Sequence, residues 1–235
     1  MTTPHPGEAH ATSVSSRLNT LRAGVLGAND GIVSTSALLL GVIATGAGAT
    51  AVFTAGLSAA VAGAVSMALG EYVSVSAQRD SERSLIAKET GELAQMPVEE
   101  TDEMAQILEG YGISAATARQ AAEEIGAGDP LAAHLQLELG IDEDDLTSPW
   151  AAAGSSAVSF ILGALLPMLA VLVAPHPVAA VVVAVVTLLA LAVTGCVSAK
   201  LAGNPVLRSC LRLVGGGALG LAVTYGIGSF FDVAA

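Results

Sequence analysis

The chain has 235 residues, of which 53% are hydrophobic, 13% charged and 3% aromatic, and it carries a formal net charge of −12. A mean hydropathy of +0.67 leaves too little charged surface for a water-soluble domain of this length and places the chain among polytopic membrane proteins. All but four of its acidic residues fall between positions 80 and 148, and so negative a region attracts cations and repels nucleic acid, which excludes the latter as a partner.

Residues 1–16 are polar, begin without a basic run, and lead into an apolar stretch that already holds Asp30. They read as a disordered tail rather than a cleavable signal peptide, and His5, Glu8 and His10 within it make at most a weak metal site. A helix needs about 20 mostly apolar residues to cross roughly 30 Å of hydrocarbon. Five segments qualify, roughly 21–45, 51–76, 150–173, 178–199 and 206–231.

The first span carries Asp30 within Asn29-Asp30-Gly31, a turn signal that would suit an interfacial loop. Length argues against the loop: residues 31–44 supply only about 21 Å of helix, so the span must reach back toward Ala23 and take Asp30 inside the membrane. An ionisable group there is costly and marks a functional site, facing a bundle interior or a water-filled path. On the second span Met67 and Glu71 stand four residues apart, and Gly56, Gly63 and Gly70 form a heptad stripe that lets another helix approach. Two carboxylates and a thioether make a mixed hard and soft ligand set, suited to Fe²⁺, Co²⁺ or Mn²⁺ better than to Mg²⁺ or Ca²⁺. The bland alternative is that Met67 fills space and the glycines only pack.

Between the second and third spans the punctuation predicts three helices. The second span is expected to continue through Gln78, Arg79 and Asp80 to about Ala94, until Pro97 ends or kinks it. A segment over 98–109 stops at Gly110 and Gly112, Ser114 caps a helix reaching Ile125, and Asp129-Pro130 opens a helix over 131–139 that Gly140 closes. Glu89 with Glu92, Glu100 with Glu103, and His134 with Glu138 each project from one helical face. Like charges so placed repel and a divalent cation would relieve them, but a solvated acidic face explains the spacing equally.

Pro149-Trp150 anchors the third span at the interface, Pro167 kinks it, and Gly215, Gly216, Gly217 and Gly220 offer a close-contact face in the fifth. Tyr225 is read as a packed aromatic rather than a pore-lining one. Every Lys and Arg lies in or near the N-terminal segment, the insert, or the connection between the fourth and fifth spans, so the positive-inside rule puts the N-terminus and insert in the cytoplasm and the C-terminus outside. Cys196 and Cys210 then fall near cytoplasmic span ends, where a structural disulfide is not expected, and both read as small packing residues.

The motifs Gly27-Ala28-Asn29-Asp30-Gly31-Ile32-Val33-Ser34 and Ser66-Met67-Ala68-Leu69-Gly70-Glu71-Tyr72-Val73-Ser74, the latter running into Gln78-Arg79-Asp80, resemble signatures of the vacuolar iron transporter family. Gly163-Ala164-Leu165-Leu166-Pro167 fits as well, and the resemblance covers about 17–231. It implies an all-α polytopic membrane protein with five transmembrane helices and a three-helix cytoplasmic metal-binding domain inserted between helices 2 and 3. The segments are then a tail at 1–16, helices 1 and 2 at 17–79, the acidic domain at 80–148, and helices 3 to 5 at 149–235.

The resemblance further implies a homodimer in the lipid bilayer, with a metal path on the two-fold axis, exchanging Fe²⁺, and Mn²⁺ or other divalent metals, for protons. No prosthetic group and no enzymatic activity are implied; the metal is substrate and ligand of the cytoplasmic domain. Asp30 and Met67 match the translocation site, with Glu71 beside them, while Glu89, Glu92, Glu100, Glu103 and Glu138 match the domain's metal-binding glutamates. The chain departs at Ala133-His134-Leu135-Gln136, where some members carry methionines; His134 either substitutes a nitrogen ligand or faces solvent. The membrane is the plasma (inner) membrane if the chain is prokaryotic and a vacuolar-type membrane if eukaryotic. Three competing readings are a passive metal channel, a membrane iron-binding or di-iron oxidising protein, and an intramembrane hydrolase. The oxidase lacks the expected Glu-x-x-His, and the hydrolase lacks a Ser with a His partner.

Overall fold

A computed structural model describes residues 14–142, 146–201 and 203–231; of 14–21 and 201 only the backbone is described. Eight α-helices account for nearly all of the described residues, and no strand occurs among them. They are α1 (Val14–Ala44), α2 (Ala49–Gln95), α3 (Pro97–Gly110), α4 (Ala115–Gly126), α5 (Pro130–Leu137), α6 (Pro149–Val173), α7 (Ala179–Leu201) and α8 (Val206–Phe230), with a short 3-10 turn at His176–Val178. Residues 1–13 of the expected tail lie outside the described residues, and the rest of it is already helical in α1. Helices α1, α2, α6, α7 and α8 are each long and apolar enough to span a bilayer, matching the five spans expected from the sequence. At 47 residues α2 is more than twice the length a crossing needs.

The described residues divide into two compact units, one within 18–73 and 149–231 and one within 14–17 and 74–148. In the first, small residues set how closely helices approach. A Cβ at Gly27 or Gly31 would collide with the α6 backbone at Ser156 and Phe160, and one at Gly163 with Ala28, so α1 and α6 meet backbone to backbone. Asn29-Asp30-Gly31 therefore sits inside continuous helix rather than in a turn. Phe160 is fully buried, packs with Ala64 and Ala164, and its ring fills the space that Gly63 leaves open.

The glycine stripe of α2 is consequently split in use. Gly56 receives Leu39 and Met168, Gly63 receives Phe160, and Gly70 has nothing within 4 Å of where its Cβ would be. In α8 only Gly217 of the predicted contact face is tightly covered, by Leu191, and Gly228 meets Gly41 of α1. A buried hydroxyl pair ties α1 to α7, with the oxygens of Thr187 and Ser36 2.6 Å apart. Helix α6 runs on through the buried Pro167, and Trp150 at its start packs on Tyr72 with ring centroids 4.7 Å apart.

The second unit holds the end of α2 with α3, α4 and α5. Its apolar centre is Met104, Ala105 and Ala122, with Leu108, Ile125 and Ala133 against them. Asp129 caps α5 by accepting from the Ala132 amide at 3.1 Å, and Pro130 takes the first turn, as the sequence implies. The helix ends at Leu137, two residues short of the expected end, because Gly140 adopts φ 65° and turns the chain so that the Ile141 amide donates to the Leu135 carbonyl. Ser114 occupies the cap position of α4 without capping by its side chain, which contacts the Thr117 hydroxyl instead.

Candidate metal sites

The sequence-predicted residues gather at two places, one in each unit. In the first unit, Asp30 from α1 and Met67 and Glu71 from α2 line a single cleft of about 430 Å³, with Ser34, Gly70 and Phe160 also on its wall. Asp30 and Ser34 belong to one turn of α1, and the Ser34 hydroxyl donates to the Asp30 carbonyl at 2.5 Å. Phe160 wedges between α1 and α2, so the close glycine contacts described above position the Asp30 backbone. Met67 packs against the Phe160 cluster while also reaching the cleft, so it combines the filler and lining roles. Asp30 is exposed in the single chain, whereas Met67 and Glu71 are half-buried. One chain thus offers two carboxylates and one thioether, fewer donors than the four to six a divalent transition metal takes.

The second site is closed. Glu89 of α2, Glu100 of α3 and His134 of α5 each present one ligand atom within 4.8 Å of the others, the one such group among the described residues. All three are buried, at 4%, 5% and 2% exposure. The His134 Nδ1 lies 3.0 Å from Glu89, 3.3 Å from Glu138 and 3.7 Å from Glu100. Only the contact with Glu138 is aligned as a hydrogen bond, and the buried Glu89 Oε1 has no hydrogen-bond partner despite its short distance to the ring.

Two buried carboxylates sharing one imidazole are costly, because burial removes hydration without returning an equivalent set of donors. Burial pushes the Glu89 carboxyl above the usual glutamate range, with Glu138, Glu100 and Glu92 adding to the effect and His134 opposing it. Burial likewise raises Glu100, reinforced most by Glu103 and opposed by His134. A divalent cation among the three would satisfy the orphaned Glu89 oxygen and neutralise both carboxylates. The donor set of two oxygens and one imidazole nitrogen fits a borderline first-row ion.

The remaining predicted ligands stand around this group rather than in it. Glu138 is half-buried and bonded to His134. Glu92 pairs with Lys88 at 2.9 Å near the surface, and Glu103 is exposed one turn beyond Glu100. His134 does not face solvent. A cavity of about 310 Å³ reaches Glu100 and His134 and is also lined by Met104 and Pro130. Tyr225 is 45% exposed on α8. Ser34 and Phe160 of the cleft were not singled out by sequence reasoning; Ser34 carried a signal, its place one turn after Asp30 on the same face.

Five helices long and apolar enough to cross a membrane, with a carboxylate-bearing cleft between two of them, have the make-up expected of a transporter. The VIT family model matches residues 21–229, and the chain belongs to that family, whose members are transporters. It is 38% identical to the vacuolar iron transporter of Acanthamoeba castellanii, over 94% of this chain and 82% of that protein. It is similar to vacuolar iron transporter homolog 1 of Oryza sativa subsp. japonica, at 35% identity over 97% of this chain and 81% of that one. Homolog 2.1 of Arabidopsis thaliana is 36% identical over 93% and 84%.

Proposed function

We propose that the chain transports Fe²⁺, and Mn²⁺ or related divalent metals, out of the cytoplasm in exchange for protons. The observation that carries this reading is the cleft in which Asp30, Met67 and Glu71 converge from two apolar helices. The names of the relatives support iron as the principal substrate. Because one chain supplies an incomplete ligand set and the cleft lies open, a homodimer that joins two copies of it is the simplest complete path. In this reading the insert faces the cytoplasm, as the distribution of Lys and Arg supports, and Glu89, Glu100 and His134 capture the metal with Glu138, Glu92 and Glu103 in attendance.

The metal then passes to Glu71 and on to Asp30 and Met67 of both subunits. A carboxylate that ligates a metal in a poorly hydrated path binds either the metal or a proton, so a proton arriving from the far side releases the ion. Competition for one carboxylate is antiport in its simplest form. The test is Fe²⁺ uptake into proteoliposomes with an acidic lumen, reading lumenal pH alongside. Metal entry accompanied by proton exit is expected; entry indifferent to the gradient would make the protein a passive channel.

A further inference from the structure

Two thiols face each other where α7 and α8 pack. Cys196, in the last turns of α7, and Cys210, in the second turn of α8, hold their Sγ atoms 2.9 Å apart, and both are half-buried rather than sealed. The Cys210 thiol also lies 3.5 Å from the Ala192 carbonyl, to which it can donate. The approach is built into the hairpin. A Cβ at Gly195 would come within 3.1 Å of the Cys210 Cα and 3.4 Å of its Sγ, so the absent side chain leaves room for the two helices to pack closely beside the thiols. Gly203, at φ 65°, turns the chain between the two helices.

Two chemistries use such a pair, a bound soft metal ion or a covalent bond. A three- or four-coordinate ion would need further His, Cys or carboxylate ligands, and among the described residues no group of three or more includes either cysteine. A two-coordinate ion with each sulfur about 2.3 Å away needs the sulfurs about 4.6 Å apart, so the tightly packed pair would have to open by more than about 1.5 Å. A disulfide needs only about 0.9 Å of closing, to about 2.05 Å.

We propose that Cys196 and Cys210 form a reversible intramolecular disulfide that ties α7 to α8 when the protein meets a hydroperoxide. One thiolate attacks the peroxide oxygen, becoming a sulfenic acid as the O–O bond breaks and the leaving oxygen departs as water or alcohol after taking a proton. The second thiolate attacks that sulfur, the S–S bond forms, and the sulfenic oxygen leaves as water. The two thiols together lose two electrons and two protons, and the peroxide is reduced. A bond of this kind is compatible with a reducing compartment because it is transient rather than structural.

The test uses the full-length protein in lipid nanodiscs, treated with hydrogen peroxide. The expected result is an intact mass lower by two hydrogens, complete loss of maleimide labelling at both cysteines, and recovery of both on adding dithiothreitol. Cys196→Ser should instead leave Cys210 labelled or carrying added oxygen, with no two-hydrogen loss. If that variant fails to fold, mass spectrometry of the wild-type digest under non-reducing conditions serves alone, with a peptide joining positions 196 and 210 expected. Persistent labelling of both thiols, oxygen addition without a bond, or a crosslink between two chains would overturn the proposal.

Discussion

The cleft and the buried cluster are both acidic, yet they solve opposite problems. In the cleft, Asp30 is exposed and no more than two carboxylates and one sulfur come from one chain. In the insert, Glu89, Glu100 and His134 are buried together from three helices of one chain, with Glu138 bonded to the imidazole beside them. An open, solvent-exposed site suits release, because an ion that water can reach can leave. A closed site suits capture, since its carboxylates are preorganised and a bound cation would relieve their mutual repulsion.

Removing one of the proposed ligands from the closed site should have the largest effect on binding. Glu89→Gln or His134→Ala should weaken Fe²⁺ binding to the full-length protein by at least about tenfold, the scale of outer-shell losses, as read by competition with a fluorescent chelator. Glu89→Gln should at the same time stabilise the metal-free insert at neutral pH, because it removes a buried charge that lacks a hydrogen-bond partner. Equal binding by wild type and both variants would mean that the cluster only packs.

Next in size is helix packing in the other unit. Gly63→Ala would drive a methyl group into the Phe160 ring and should cost about 1–3 kcal/mol of stability, seen as earlier thermal loss of the folded protein in detergent. Gly70→Ala, with open space around it, should leave that stability unchanged. Similar losses for both would contradict the split use of the α2 stripe.

A smaller effect is expected on pH dependence. Glu89 and Glu100 have folded-state pKa values above the ordinary 4.5, chiefly through burial. Between the ordinary and folded values the folded protein holds more protons than the unfolded one, so the stability linked to their protonated forms is full below 4.5 and lost as pH rises through the raised values. Hydrogen-exchange protection factors of the metal-free insert should therefore decline over that window, and added Fe²⁺ should flatten the decline. The smallest change belongs to Glu103→Gln, whose side chain is exposed; its effect on stability should stay within about 0.5 kcal/mol.

Much of this division was legible in the sequence, and its limits have physical reasons. Five apolar runs gave the spanning helices, and the length of helix left after Gly31 placed Asp30 within the first of them, where the structure has it. Spacing also showed that Glu89 and Glu92 share a face, but periodicity does not say which member meets another helix. That choice follows from how α2, α3 and α5 pack, which buries Glu89 and Glu100 and leaves Glu103 outside. His134 was ambiguous for the same reason. The glycine stripe was visible as a repeat, whereas its division between packing and cleft depends on where Phe160 of a distant helix lands. Cys196 and Cys210, read as separate packing residues, meet where α7 and α8 pack closely beside Gly195, a contact between helices that spacing along one helix does not show.

The most direct test of the central claim, that the cleft moves the metal while the cluster captures it, is Fe²⁺ uptake at saturating metal by Asp30→Ala and His134→Ala proteoliposomes under the same acidic-lumen gradient. The expected result is no uptake and no proton exit with Asp30→Ala, and proton-coupled uptake that persists with His134→Ala because high metal concentration bypasses capture. Proton-coupled uptake surviving in Asp30→Ala would contradict the assignment of the cleft as the translocation site.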